Sequence, residues 1–277
     1  MAVNSLGAVW SCCSPDFGIE SIANRFEQLK PGILLAHKRY SYNGKDYIQE
    51  KKIKELQIRL PSIKKTIVFD STFDSWNLNS NYWIDFEFVS VKFDHPIWVL
   101  FSSGTTGKPK AITHGTGGML LEQYKSHSLH QNIMNGDRFF WNTTTGWMMW
   151  NYAIGSFLCG ATLCLYDGSA NFPDIGVQWR FAKDAKINHF GNGSPMFIAS
   201  MKQNCKDVSN ENLKFIKTIG ATGSPLSVEA FKWLQKKLPS TQIISLSGGT
   251  DVCSAFIGGC PKSVSYTHLR AHETLNH

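Results

Sequence analysis

At 277 residues and 42% hydrophobic content, the chain is long enough for one large or two ordinary domains with a filled core. A net charge of +7 would suit an acidic partner, but the basic residues are scattered. Their densest run, Lys51, Lys52, Lys54, Arg59, Lys64 and Lys65, crosses a predicted helix and its exit, where a solvated face accounts for it, so no nucleic-acid partner is expected. The seven cysteines include no CxxC, which argues against a zinc ribbon or redox dithiol and fits reduced thiols in a cytoplasmic protein.

Taken in order, Ser14-Pro15-Asp16 offers a helix start, and Ile19, Ile22, Ala23, Phe26 and Leu29 recur at helical spacing until Lys30-Pro31-Gly32. The first basic residue is Arg25, so no secretory leader is expected. Ile33 to Ala36 reads as a buried strand, Tyr42 to Lys45 as a turn, Ile48 to Leu60 as a second helix and Thr66 to Phe69 as another strand. Strand, helix, strand predicts a parallel crossover and hence an α/β fold. Asp70 to Asp94 reads as a long connection.

Next comes an apolar run, Ile97 to Phe101, then Ser102-Ser103-Gly104-Thr105-Thr106-Gly107-Lys108-Pro109-Lys110. Glycines let a backbone approach an anion, hydroxyls donate to it and lysines supply charge, so a phosphate cradle is the leading reading over an ordinary loop. The Walker A pattern needs four residues between its glycines and Ser or Thr after the lysine. Here two residues separate Gly104 from Gly107 and Pro109 follows the lysine, which disfavours that P-loop. Gly117 to His130 reads as a helix packed behind, placing the loop between a strand and a helix.

Arg138 to Asp167 holds no charge between its ends, and Trp147 to Tyr166 is largely apolar. Polar residues and a predicted turn at Gly160-Ala161 break it up, so no membrane span is expected. Two apolar strands are predicted to end in glycine turns, at Phe190 to Pro195 and at Gly220 to Pro225, the second after a strand over Phe215 to Ile219 and before a helix from Ser227 to Leu238. A strand over Ile243 to Leu246 delivers Ser247-Gly248-Gly249-Thr250-Asp251. A Thr and a carboxylate at a strand's carboxyl end can donate to a phosphate and hold Mg²⁺.

The Ser102–Lys110 loop resembles the phosphate-binding motif of the adenylate-forming superfamily, which includes acyl-CoA synthetases, nonribosomal adenylation domains and luciferases, with Ala111 where many members carry another glycine. The resemblance implies that Ser102, Ser103, Gly104, Thr105, Thr106, Gly107, Lys108 and Lys110 grip the β- and γ-phosphates of ATP. It also implies that Gly223, Ser224 and Pro225 border the adenine, and that Trp147, Met148 and Trp150 wall the acyl pocket. Thr250 would meet the α-phosphate and Asp251 would hold Mg²⁺, so that Thr250, Asp251 and Lys108 form the catalytic set. Asp251 stands where Glu is commoner, and Gly248-Gly249 where many members carry an aromatic residue near adenine.

Ser5 to Ser11 with Ser14 to Gly18, Thr222 to Ser227 and Ser247 to Asp251 look most like the acetoacetate-activating branch of acyl-CoA synthetases, over residues 2 to 262. The resemblance implies layered α/β, flavodoxin-like subdomains of an N-terminal adenylation domain, truncated at both ends. Residues 1–262 would form part of the AMP-binding domain, with the small C-terminal domain and most of the CoA site outside it. Val264 to Thr274 resembles a translated sequencing adapter, so residues 263–277 are set apart as a non-native tail, and a metal site at His268, His272 and His277 is not expected. Activation of acetate or another short acid, and a non-catalytic nucleotide- or nucleic-acid-binding module, remain as alternatives.

Overall fold

The structure, a computed structural model, describes residues 1–69, 87–102 and 107–261. Ser103, Gly104, Thr105 and Thr106, most of the connection after Asp70, and the 263–277 tail with its three histidines lie outside the described residues. The chain divides into two compact units, residues 1–116 and 117–277.

The first unit opens with a short helix, α1 (Ala2–Ser5), then α2 (Ile19–Leu29) and strand β1 (Ile33–His37). The hairpin β2 (Arg39–Tyr42) and β3 (Lys45–Ile48) precedes α3 (Glu50–Arg59) and β4 (Lys65–Phe69). β1 and β4 pair in parallel, the expected crossover, and Ile22, Ala23, Leu34, Leu56 and Leu60 are buried between helices and strands. Two residues of the basic run are engaged locally on α3: Lys52 Nζ donates to the Pro15 and Phe17 carbonyls at 2.8 and 3.0 Å, and Arg59 pairs with Glu20 and Glu55.

β5 (Pro96–Ser102) and β6 (Lys110–Gly115) then form an antiparallel hairpin. This corrects the expected strand-to-helix setting of the glycine loop. Lys110 to Gly115 satisfies its backbone groups against β5, in register from Ser102↔Lys110 to Trp98↔His114, so a second strand precedes the helix.

The second unit holds α4 (Thr116–Lys125), which starts at the last residue of the first unit and runs into a π-helical turn at Ser126–His130. β7 (Arg138–Trp141), α5 (Met148–Gly155), a 3₁₀ turn and β8 (Thr162–Leu163) follow. Gly160 takes φ +73 where the predicted turn stands. Next come α6 (Val177–Asp184), β9 (His189–Gly193), α7 (Ser194–Lys202), β10 (Thr218–Thr222), α8 (Val228–Lys237) and β11 (Gln242–Ser245). A last hairpin joins β12 (Ser247–Gly249) to β13 (Ser254–Ile257).

The central sheet has five parallel strands in the order β11-β10-β9-β7-β8. Numbered along the chain, its strands read 2-1-3-4-5 from the β8 edge, the flavodoxin-like order. Period-two alternation puts register mates Phe140, Phe190, Ile219 and Ile243 on one face, in a core with Trp179, Phe197 and Leu234. The other face carries Trp141, Gly191, Gly220 and Ile244.

That second row corrects the predicted glycine turns. β9 continues through Gly191 to Gly193 and β10 through Gly220 to Thr222, while Phe215 to Lys217 precede β10. A Cβ at Gly191 would overlap the Trp141 indole, and one at Gly220 would stand 2.5 Å from its Cζ3. These glycines make room for an aromatic ring inside a strand.

At the amino edge of the sheet, His189 Nε2 meets Asp137 Oδ2 at 2.9 Å and His189 Nδ1 meets Thr218 Oγ1 at 2.8 Å. Lys217 Nζ donates to Asp137 Oδ1 at 2.6 Å. Burial depresses the His189 pKa against the pull of Asp137. Burial would raise Asp137, but hydrogen bonds from Lys217 and His189 outweigh it and hold the carboxyl low.

Candidate functional site

At the carboxyl edge of the same sheet lies a cavity of about 120 Å³. Trp147 caps the N-terminus of α5 in extended conformation, and with Met148, Met149 and Tyr152 it forms one wall. Met148 and Tyr152 are four apart, on one helix face. Thr222 and Gly223 follow from the end of β10, Leu246 from the end of β11, and Gly248, Gly249, Thr250, Ser254 and Ala255 from the last hairpin.

Local bonds fix these walls. Thr222 Oγ1 donates to the Leu246 carbonyl at 2.9 Å, tying the two strand ends together. Gly223 has φ +83, and a Cβ there would reach 3.7 Å from Trp147 Cη2, so the turn faces the indole across a gap that a methyl group would fill. At Gly248, beside an irregularity in the β12–β13 register, a Cβ would stand 2.6 Å from Ala255 Cα. Any side chain at 248 would force the hairpin apart, which is the local reason this motif carries no aromatic residue there.

The chemistry of the lining is an apolar wall opposite hydroxyls. Burial pushes the Tyr152 phenol up, so it stays neutral, and its oxygen accepts from Gln131 Nε2. Ser254 is buried and its Oγ shares a hydrogen bond with Ser126 Oγ at 3.0 Å. Behind them sits Glu122. Its burial would raise the carboxyl, but hydrogen bonds from Lys125, Ser254 and Ser126 prevail and hold it low. The volume is below the roughly 300–1,000 Å³ of pockets for drug-sized ligands, so the cavity suits a small organic group.

Of the sequence-predicted residues, Trp147, Met148, Gly223 and Thr250 come together on this cavity. Trp150 is half-buried on α5 and not among the lining residues; Ser224 and Pro225 lie beyond Gly223, with the Ser224 carbonyl accepting from Ser194 Oγ. Asp251 is exposed in the turn next to Thr250. Among the described residues no group of three His, Cys, Asp or Glu could hold a metal by itself. A single carboxylate is nevertheless the usual protein share for Mg²⁺ carried on a nucleotide, whose other ligands are phosphate oxygens and water. Met149, Tyr152, Leu246 and Ser254 were missed by sequence reasoning, although the spacing of Tyr152 from Met148 was available.

In the first unit, Ser102 and Lys110 pair at the loop end of the β5–β6 hairpin and Gly107 takes φ +146. Lys108 is exposed, 3.8 Å from Glu27 Oε2. One residue on, Gln28 Nε2 donates to the Pro109 carbonyl at 3.0 Å, so α2 braces the exit of the loop. An exposed pair of this kind adds little stability and leaves Lys108 available to a stronger anion.

Comparison with known proteins shows the family. The family described as AMP-binding enzyme matches residues 1–272. The chain belongs to that family. An acetoacetyl-CoA synthetase of Gallus gallus is 36% identical over 93% of the chain, and one of Rhizobium meliloti (strain 1021) is 37% identical over 94%. The chain spans 42% of the length of each of these relatives. The solved acetoacetyl-CoA synthetase from Streptomyces lividans superposes with TM-score 0.88 at 38% identity, covering 94% of this chain and 42% of that one. An anthranilate CoA ligase in complex with anthranoyl-AMP shares the fold, with TM-score 0.79 at 18% identity over 94% of this chain and 48% of its own. The mixed α/β architecture with a parallel central sheet is that of the N-terminal domain of AMP-binding enzymes. No helix among the described residues is long and apolar enough to cross a membrane.

Proposed function

We propose that the chain carries the adenylation site of an ATP-dependent acid–thiol ligase that activates acetoacetate. The observation that supports this most is the meeting of Trp147, Met148, Gly223 and Thr250 on one small cavity at the carboxyl edge of a flavodoxin-like sheet, where open α/β sheets bind ligands. The acid's carboxylate oxygen attacks the α-phosphorus of MgATP, the bond to the bridging oxygen breaks, and pyrophosphate leaves with that electron pair. Thr250 donates to the α-phosphate and Asp251 holds Mg²⁺. Lys108 and Lys110, with Ser102, Ser103, Gly104, Thr105, Thr106 and Gly107, offset the charge of the β- and γ-phosphates.

Gly223, Ser224 and Pro225 border the adenine in this reading, and Trp147 and Met148 receive the acyl group. In the second step the thiol sulfur of CoA attacks the acyl carbon and AMP departs, a step assigned to parts of the protein beyond residues 1–262. Acetoacetate is favoured over acetate by the similarity to acetoacetyl-CoA synthetases along 93–94% of the chain. The reading carries with it a cytoplasmic setting, in keeping with seven cysteines that form no disulfide.

The experiment is calorimetric titration of the chain with MgATP, AMP and a single-stranded oligonucleotide at two salt concentrations. Saturable binding of both nucleotides supports adenylation. Salt-sensitive binding of the oligonucleotide alone overturns it in favour of a nucleic-acid module.

A further inference from the structure

We propose that Gln123, on α4, is a positioning residue that sets the turn bearing Thr250 and Asp251; the inference rests on the adenylation reading. In the turn between β12 and β13 the Cys253 N–H donates to the Thr250 carbonyl at 3.2 Å. Cys253 is fully buried and holds φ +49, a conformation unfavourable to a residue with a Cβ. A contact from outside the turn can offset that cost.

α4 supplies such a contact. Gln123 is 1% exposed, and its Nε2 donates to the Cys253 carbonyl at 2.7 Å. Three residues on, Ser126 Oγ meets Ser254 Oγ at 3.0 Å and donates to Glu122 Oε1 at 3.3 Å, so a second strut holds the residue next to Cys253, where the turn enters β13. Gly155 on α5 makes room for the amide: a Cβ there would stand 2.7 Å from Gln123 Oε1. That oxygen has no hydrogen-bond partner among the described residues. A buried amide with its carbonyl unsatisfied is a poor stabiliser, since the desolvated oxygen offsets what the donor gains. Gln123 is therefore placed for what Nε2 holds, the carbonyl two residues after Asp251.

The test compares the 277-residue chain with Gln123→Met, which keeps the volume and loses the donor, Gln123→Glu, which sets a carboxylate against the Cys253 carbonyl, and Thr250→Val. Affinity for ATP is measured across a Mg²⁺ titration, alongside the thermal midpoint. The methionine variant is expected to match or exceed the wild-type midpoint. Its MgATP binding should weaken about five- to tenfold, with more Mg²⁺ needed for half-saturation, and the glutamate variant should lose more.

Wild-type affinity in Gln123→Met overturns the inference, as does parallel loss of affinity and midpoint, which marks a purely structural residue. If that variant does not fold, Ser126→Ala, which removes the second strut together with the bond to Glu122, must weaken MgATP binding at an unchanged midpoint or the inference falls. Absence of MgATP binding in the wild type, or wild-type affinity in Thr250→Val, overturns the adenylation reading and this inference with it.

Discussion

Trp141 occupies the space that a side chain at Gly220 would need: a Cβ there would stand 2.5 Å from Cζ3 of the indole. The same ring excludes a Cβ at Gly191 on the neighbouring strand. Gly220→Ala should therefore destabilise the chain by about 2–3 kcal/mol, the scale of overpacking in a closed core. Urea unfolding measures this, and pairing the substitution with Trp141→Leu should recover part of the loss.

A second expectation concerns pH. His127 is fully buried, its Nδ1 bonded to the Gln123 carbonyl at 2.7 Å, and burial pushes its pKa down to about 4 from 6.5. The unfolded chain then binds a proton that the folded chain refuses, so stability from this residue is present above pH 6.5 and is lost as the pH falls toward 4. The loss amounts to about 3 kcal/mol. His189, also depressed by burial, adds in the same direction. Denaturant midpoints between pH 7 and 4 should fall less steeply in His127→Gln than in the wild type.

The proposed phosphate role of the β5–β6 hairpin predicts a split between nucleotides. If Lys108 meets the β- and γ-phosphates, Lys108→Ala should weaken MgATP binding about tenfold, the scale of a charge-assisted hydrogen bond, and leave AMP binding unchanged. Equal losses for the two nucleotides would remove Lys108 from that role.

Gly223 combines φ +83 with a position where a Cβ would just reach Trp147. Gly223→Ala meets no hard clash but places a Cβ in a left-handed backbone, at about 1–2 kcal/mol. The turn should shift away from the indole, seen as a change in Trp147 fluorescence and weaker AMP binding. Trp147→Ala should instead change the preference among short acids in a pyrophosphate-release assay of the protein.

Much of this was legible in the sequence, for local reasons. α2 and α8 declare themselves by apolar spacing and by stop and start signals; Ser227 caps α8, accepting from the Ala230 N–H at 3.2 Å. β1 and β4 follow from short apolar runs around a helix. The glycine strands were not legible, because Gly191 and Gly220 read as turns until Trp141, distant in sequence, is laid over them. β6 was missed since Lys110 to Gly115 has no apolar run of its own and becomes a strand by pairing with β5. In the site, Trp147, Met148, Gly223 and Thr250 stood out as motif residues, whereas Gln123 and Ser254 act through contacts more than a hundred residues apart in sequence.

The most direct test of the account is a crystal structure of the chain with a non-hydrolysable acetoacetyl-adenylate analogue. The account predicts the acyl group against Trp147 and Met148, the adenine along Gly223 and the phosphate-mimicking group within hydrogen-bond reach of Thr250. An analogue bound elsewhere, or a cavity left empty at saturating analogue, would contradict it.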